Sequence, residues 1–317
     1  MKILITGSSG HLGEALMRTL ADGPHEAIGV DILRSPFTNI VGSIADRAVV
    51  DACMKDVDAV LHTATLHKPH VATHRRQDFV DTNITGTLNL LEAAVTNNVR
   101  SFVFTSTTST FGDALTPPRG APAAWITESV VPIPKNIYGS TKVAAEDLCQ
   151  LFHRDQKLPC LVLRTSRFFP EGDDVPEKRA AFDDANLKAN EFLYRRVDVE
   201  DVVSAHLLAM DKAPALGFGK FIITATTPFL REDARELGVD AAAVMRRRVP
   251  EYEAIYATKG WKMLPALDRV YDNERARTLL GWTPKYDFQR VLRSVSAGAD
   301  PRSELARVIG WKGYHAS

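Results

Sequence analysis

The chain has 317 residues, 45% of them hydrophobic and 25% charged, ordinary values for a globular protein with ample material for a core. Its 39 Lys+Arg balance 39 Asp+Glu, which removes any long-range electrostatic reason to expect nucleic acid or an anionic membrane as a partner. No apolar run approaches the roughly 18 residues of a membrane span, the opening apolar stretch is too short for a signal peptide, and Cys53, Cys149 and Cys160 form neither a disulfide framework nor a zinc ribbon, so a reducing cytoplasm is expected.

In chain order, Lys2 to Thr6 reads as a first strand, followed by glycines and a helix over His11 to Ala21. Glu26 to Val30 is a second strand ending at Asp31, and Ile40-Val41 suggests a short third. Ala59 to Thr63, Ser101 to Thr105 and Cys160 to Arg164 are the fourth, fifth and sixth. Helical patterns lie between them, as where Leu88, Leu91, Ala94 and Val95 share one face. Strands apolar along their length and alternating with helices predict an α/β fold, a doubly wound parallel sheet covered on both sides. The second half is less regular. Residues 171–182 read as a loop over a cleft, Tyr194 to Val197 as a short strand, a helix opens near Asp198, and Phe221 to Thr224 returns as a strand. Residues 228–265 are mostly helical, and 284–317 hold a further helix and an irregular tail. A sheet of about seven strands is expected from residues 1–165 with 192–227, and a smaller helical lobe from 166–191 with 228–317.

Gly7-Ser-Ser-Gly10-His-Leu-Gly13 joins the first strand to the first helix. Such a loop sets bare backbone N–H groups and a helix N-terminus against a pyrophosphate. Asp31 follows eighteen residues after Gly13, at a strand end, where a carboxylate accepts hydrogen bonds from ribose hydroxyls. Strand, loop, helix and acid together predict a nicotinamide dinucleotide. A carboxylate repels a 2′-phosphate, which favours NAD over NADP, although Arg34 lies close enough to complicate the choice. Tyr138 and Lys142 stand four residues apart, on one face if helical. A phenol with an ordinary pKa of about 10 is a poor base at neutral pH. A neighbouring ammonium and an oxidised nicotinamide both favour its phenolate. The pair follows a strand end rich in hydroxyls, Thr105 to Thr110, where open parallel sheets bind ligands.

At this point the sequence resembles the extended short-chain dehydrogenase/reductases, the group of NAD-dependent sugar epimerases and dehydratases, over nearly its whole length. The glycine pattern TGxxGxxG is Thr6 to Gly13. The fourth-strand HxAA pattern is His62-Thr63-Ala64-Thr65, and NxxGTxNLLEAA starts at Asn83. SSxxVYG reads Ser106 to Gly112, and DxxKAxxxLGWxP reads Asp272 to Pro284. The resemblance implies a Rossmann sheet, a homodimer paired through the helices after Asn83 and around Tyr138, and Thr107, Tyr138 and Lys142 as catalytic residues. It carries cofactor contact to Gly7, Ser9, Gly10, His11, Leu12, Gly13, Asp31 and Ile32. It carries the same role to Ser43, Ile44, His62, Thr63, Ala64, Asn83, Thr105 and Arg164, together with Tyr138 and Lys142. Substrate contact is expected at His67, Lys68, Thr107, Thr108, Ser109 and Arg167.

Departures from the family pattern narrow the function. Dehydratases of the family carry Asp-Glu after the catalytic Thr, whereas this chain has Thr108-Ser109, which cannot act as that acid pair. The Asn that usually meets the substrate diphosphate is Arg167, which could grip a phosphate or carboxylate, or indicate a substrate without a nucleotide. Failing a substrate role, Arg167 would pair with Asp173 or Asp174. The acid that often touches adenine falls at Ser43 or Ile44, and residues 170–190 are short and acidic for a uridine pocket. His67, His70 and His74 have helical spacing, but this chemistry needs no metal and none is expected. Arg246-Arg247-Arg248 reads as a solvated helix face, and Trp261, Trp282 and Trp311 as packing of the smaller lobe. The expected enzyme acts on a hydroxyl carbon of a sugar or nucleotide sugar, anionic in character, with hydride passing to NAD and epimerisation through a transient ketone. Net NAD-dependent dehydrogenation of a sugar, sugar acid or small alcohol is the alternative, and a non-catalytic NAD(H)-binding regulator the third reading.

Overall fold

The computed structural model describes residues 1–118, 120–173 and 176–313. In chain order it runs β1 (Lys2–Thr6), α1 (His11–Ala21), β2 (Glu26–Asp31), β3 (Ile40–Val41), α2 (Arg47–Cys53) and β4 (Ala59–His62). Then come α3 (Arg76–Phe79), a π-turn over Val80–Thr85, α4 (Gly86–Thr96), β5 (Ser101–Thr107), β6 (Ala124–Ile126), α5 (Ile137–Gln156) and β7 (Cys160–Thr165). The second half holds α6 (Pro176–Ala181), α7 (Asp184–Glu191), α8 (Val199–Leu216), β8 (Phe218–Ile223), α9 (Ala234–Leu237), α10 (Ala241–Arg248) and α11 (Tyr252–Lys259). It closes with β9 (Arg269–Tyr271), α12 (Phe288–Ser296) and α13 (Glu304–Ile309).

Seven parallel strands form one sheet in the order β3-β2-β1-β4-β5-β7-β8. The central strands are buried along their whole length because helices cover both faces. Ile3, Ile5, Leu61, Val103 and Leu163 pack with α1 and α8 on one side. Leu4, Val60, Phe102, Phe104 and Val162 pack with α2, α4 and α5 on the other. One-residue alternation along each strand therefore feeds two cores. β4 pairs with β5 only as far as His62 opposite Phe104, so β5 continues past its neighbour and exposes the Thr105 carbonyl at the sheet's C-terminal edge.

Parallel β6 and β9 make a two-stranded ribbon, and a third core gathers Leu193, Tyr194, Leu237, Val244, Met245, Tyr256 and Phe288 into a smaller helical lobe. No helix among the described residues is long and apolar enough to cross a membrane.

Three local expectations need correction. Residues 194–197 are not a strand. The Arg195 and Arg196 N–H groups both fold back on the Glu191 carbonyl, at 2.8 and 3.0 Å, which turns the chain and leaves a single bridge, Arg167 to Arg196. Part of 171–182 is helical, as α6. Trp282 belongs to the core of the large sheet, donating to the Asp201 carbonyl at 3.2 Å and the Ser204 hydroxyl at 3.0 Å, while Trp311 is exposed. The arginine run lies on an exposed helix face, where Arg246 pairs with Glu253, Arg247 with Asp233 and Glu236, and Arg248 with Glu232 and Asp233.

Candidate active site

Two clefts open at the C-terminal edge of the large sheet and share a wall of His67, Tyr138, Thr165, Phe168 and Phe169. The first, about 450 Å³, runs along the loops after β1, β2 and β4. Gly7 turns with φ +72°, and a Cβ there would stand 2.8 Å from the Ala64 backbone. At Gly13 a Cβ would meet the Gly7 carbonyl at 1.9 Å, so helix and loop touch only because neither carries a side chain. Gly10 leads into α1 with no side chain capping the helix, which leaves first-turn N–H groups for a ligand. The Asp31 carboxylate accepts from Ser9 N at 3.0 Å and Leu33 N at 2.9 Å, which aims it across the glycine loop. Arg34 is exposed and does not line the cleft. An uncapped helix, a side-chain-free loop and a carboxylate at the next strand end are the donor and acceptor set that a dinucleotide's pyrophosphate and ribose require.

Gly7, Ser9, Gly10, His11, Leu12, Gly13, Asp31, Ile32, Ser43, Ile44, Thr63, Ala64, Thr105, Tyr138 and Lys142 all line this cleft. Three residues expected there do not. His62 is fully buried between the Thr6 hydroxyl at 2.7 Å and the Thr87 hydroxyl at 2.9 Å, locking β1, β4 and α4 together. Asn83 sits behind the wall, where its amide holds the Leu66 backbone and the Thr141 hydroxyl. Arg164 turns away from the cleft altogether, because its guanidinium is spent on the buried Glu146 carboxylate at 2.7 Å and covers the Phe111 ring. Thr105 faces both ways: its hydroxyl bonds Nε2 of buried His206 at 2.8 Å.

Tyr138 and Lys142 lie in the first two turns of α5, which Asn136 caps through its side chain. Both are buried. Burial pushes the Tyr138 phenol up to about 12, eased by its hydrogen bond with Thr107. Burial also holds the Lys142 ammonium down to about 7, against the pull of the Glu146 carboxylate. Lys142 Nζ donates to the Thr105 carbonyl at 2.5 Å and stands 4.2 Å above the Phe104 ring. Thr107 ends β5, and its hydroxyl accepts from Ser109 N at 3.1 Å. Phenol, hydroxyl and ammonium thus converge where the two clefts meet.

The second cleft, about 520 Å³, receives His67, Lys68, Thr107, Thr108, Ser109 and Arg167 from the large sheet's loops. The smaller lobe and its connections add Lys178, Arg195, Asp268, Arg269 and Tyr271, and Lys135 comes from the loop before α5. Its lining is strongly cationic. Most of these cations are already engaged: Lys135 with Asp113, Arg195 with Glu191 and Asp173, and Arg269 with Asp268. Arg167 donates to the Glu171 and Gly172 carbonyls and lies 4.0 Å from Glu191, so it braces its own loop while lining the cleft. Its Asp173 alternative pairs with Arg195 instead, and Asp174 lies outside the described residues. Lys178 has neither a hydrogen bond nor an ion pair among the described residues; burial and the Arg195 charge lower its pKa. Lys178, Arg195 and Arg269 are not legible as site residues in the sequence, because nothing in their local pattern says that they meet.

Phe169 stacks on His67 at 5.8 Å and meets His11 edge-on at 5.5 Å, which makes it the partition between glycine loop and substrate side. His67, His70 and His74 form a row of ring contacts, and no group of ligating side chains able to hold a metal ion occurs among the described residues.

A glycine-loop parallel sheet with a Tyr–Lys pair on the helix beside its fifth strand defines an NAD-dependent enzyme of the extended short-chain dehydrogenase/reductase type. The NAD dependent epimerase/dehydratase family profile matches residues 3–221, and the chain belongs to that family. UDP-glucose 4-epimerase of Lactobacillus helveticus is 25% identical, covering 90% of this chain and 93% of that protein. UDP-glucose 4-epimerase of Rhizobium leguminosarum bv. trifolii is 27% identical, covering 92% and 95%. Among solved structures, a short-chain dehydrogenase/reductase superfamily protein from Agrobacterium tumefaciens with bound NAD superposes with a TM-score of 0.67 at 24% identity, over 94% of this chain and 96% of that one. UDP-glucose 4-epimerase of Thermotoga maritima with UDP-glucose gives 0.64 at 24% identity, over 93% and 98%. The structural matches establish the fold.

Proposed function

We propose that the protein is an epimerase that inverts a hydroxyl-bearing carbon of an anionic, nucleotide-linked sugar through a transient ketone. The observation that carries this reading is Tyr138 on the wall shared by two clefts, with Thr107 lining the cationic cleft and Lys142 the one shaped for the cofactor. Bound NAD supplies a hydride acceptor that can return the hydride. The chain's own residues do the rest. The Thr107 hydroxyl holds the reacting oxygen beside the Tyr138 phenol. Tyr138 takes the proton from that oxygen when the carbon is oxidised, and gives it back on reduction. The Lys142 cation favours the phenolate. In the ligand-free protein the phenol keeps its proton at neutral pH, since burial raises it to about 12. Residues 166–191 with most of 228–317 close the substrate side, and 1–165 with most of 192–227 carry the cofactor side; Leu193 and Tyr194 pack in the smaller lobe and Trp282 in the core of the large sheet. Lys178 supplies the free positive charge for a phosphate or carboxylate of the substrate. We place the enzyme in the cytoplasm, where its three buried thiols stay reduced.

The test is turnover of UDP-glucose by the NAD-loaded protein, followed by proton NMR of the anomeric signals and by nicotinamide absorbance. Interconversion with the 4-epimer and no net absorbance change is the expected result. A second reading, net dehydrogenation of a sugar acid, is favoured by Arg167 bracing its own loop where a substrate-facing Asn would stand. Steady NADH accumulation with a uronic acid, and no epimer from any nucleotide sugar, would replace the first reading with the second.

A further inference from the structure

Glu146 is a fully buried carboxylate on the catalytic helix, yet it touches neither cleft. It lies four residues after Lys142 on α5, the spacing at which side chains share a face with Cβ atoms about 5–6 Å apart. Three strands are pinned to it. The Ser106 hydroxyl of β5 donates at 2.6 Å, Arg164 of β7 binds both oxygens at 2.7 to 3.2 Å, and Lys220 of β8 stands 3.2 Å away. Arg164 is sealed from water, whereas Lys220 is partly exposed and shared with Asp147. A carboxylate held by two cations in a dry interior keeps its negative charge, and their pull holds it below the usual carboxylate range despite burial.

Among the described residues, Glu146 is the carboxylate that acts on Lys142. On α5 Lys142 follows Tyr138 by one turn, the two lining one cleft where burial pushes the phenol up, and Cys149 lies two turns beyond it. On β4 it faces His62, kept neutral by burial and by the Lys142 charge. On β5 it meets the Thr105 carbonyl and the Phe104 ring, which offer dipoles but no charge. Without a carboxylate in range, a buried ammonium gives up its proton readily.

We propose that Glu146 is a positioning residue for the reaction: its buried carboxylate, one helical turn beyond Lys142, keeps the Lys142 ammonium charged beside Tyr138. Arg164 and Lys220 hold Glu146 in place and also compete with Lys142 for its field. This role rests on the proposed reading of Lys142 as the cation that supports the phenolate, and its consequence is measurable in cofactor-free protein.

The experiment is a pH titration of the Lys142 side chain in cofactor-free protein labelled with ¹³C at lysine Cε, assigned by its loss in Lys142→Arg. The wild-type midpoint is expected at about 7. Glu146→Gln should lower it by about one pH unit or more, tenfold in the protonation constant. Lys220→Met should raise it, because a competing cation at the partly exposed end of the network is removed. Opposite displacements are the signature: a merely structural role would leave the midpoint fixed or move both variants the same way, and either result overturns the proposal. If Glu146→Gln does not fold, Lys220→Met decides alone, an unmoved or lowered midpoint counting against it. With substrate, Glu146→Gln should lower kcat at neutral pH, leave KM near wild type, and shift the alkaline limb of the kcat profile downward. Correct titration shifts without epimerisation would sink the proposed function and leave this inference standing; turnover with unmoved midpoints would do the reverse.

Discussion

At Asp31 one carboxylate decides which dinucleotide fits. Its two backbone donors aim it across the glycine loop, so a 2′-phosphate would meet a fixed negative charge. NAD should therefore bind at least tenfold more tightly than NADP, and Asp31→Ala should erase most of that difference, as measured by fluorescence titration of the reduced cofactors. Equal affinities in the wild type would show that Arg34 swings in to pair the phosphate. Tyr138→Phe removes only the phenolic oxygen and should keep fold and NAD binding. Loss of general acid–base catalysis is worth about 10²- to 10⁴-fold, so kcat should fall by at least that lower figure in a single-turnover assay. Lys178→Met deletes a cation of the substrate cleft that has no ion pair among the described residues. A charge-assisted hydrogen bond contributes about 1.5–3 kcal/mol, so KM should rise roughly ten- to a hundredfold while NAD affinity holds. Arg167→Ala, by contrast, should show itself as a lower melting temperature, since its guanidinium braces the loop through Glu171 and Gly172.

Among the elements, those of the sheet were readable in the sequence because a strand buried on both faces is apolar throughout and a glycine loop follows only one such strand. The cofactor cleft was readable for the same reason: its lining comes from strand ends and the loops directly after them. Where the reading failed, a tertiary partner had taken the residue. Arg164 and His62 carry motif positions, but Glu146 and a pair of threonine hydroxyls hold them behind the site. The substrate cleft was least legible, since Lys178, Arg195 and Arg269 come from distant segments and only the fold brings them to Lys68 and Arg167. One joint between the lobes can be tested directly. Asp201 in the first turn of α8 accepts from Lys285 N at 2.7 Å and Tyr286 N at 2.9 Å, clamping the segment that leads into α12. Asp201→Ala leaves two N–H groups without their acceptor, and each such group costs about 1–3 kcal/mol when buried. Urea unfolding should show a loss of about 3 kcal/mol; a loss under about 1 kcal/mol would mean that water replaces the clamp.

For the molecule as a whole, α4 and α5 pack side by side on one face of the sheet, and Leu151 of α5 is left partly exposed there. Two copies meeting through these helices would cover it and bury the supports of both catalytic helices in one bundle. Light scattering at micromolar concentration should give twice the mass of the chain, and Leu151→Asp should return the single-chain mass. A single-chain mass for the wild type would remove the dimer.

The overhang of β5 beyond β4 has a consequence for the timing of proton transfer. It leaves the Thr105 carbonyl open to the Lys142 ammonium, while burial raises the Tyr138 phenol. The backbone oxygen therefore competes with any hydroxyl for the lysine cation, and the phenol can act as a base only where further positive charge stands beside it. An oxidised and a reduced nicotinamide differ by that one charge, so the two redox forms would set the readiness of Tyr138 in opposite directions.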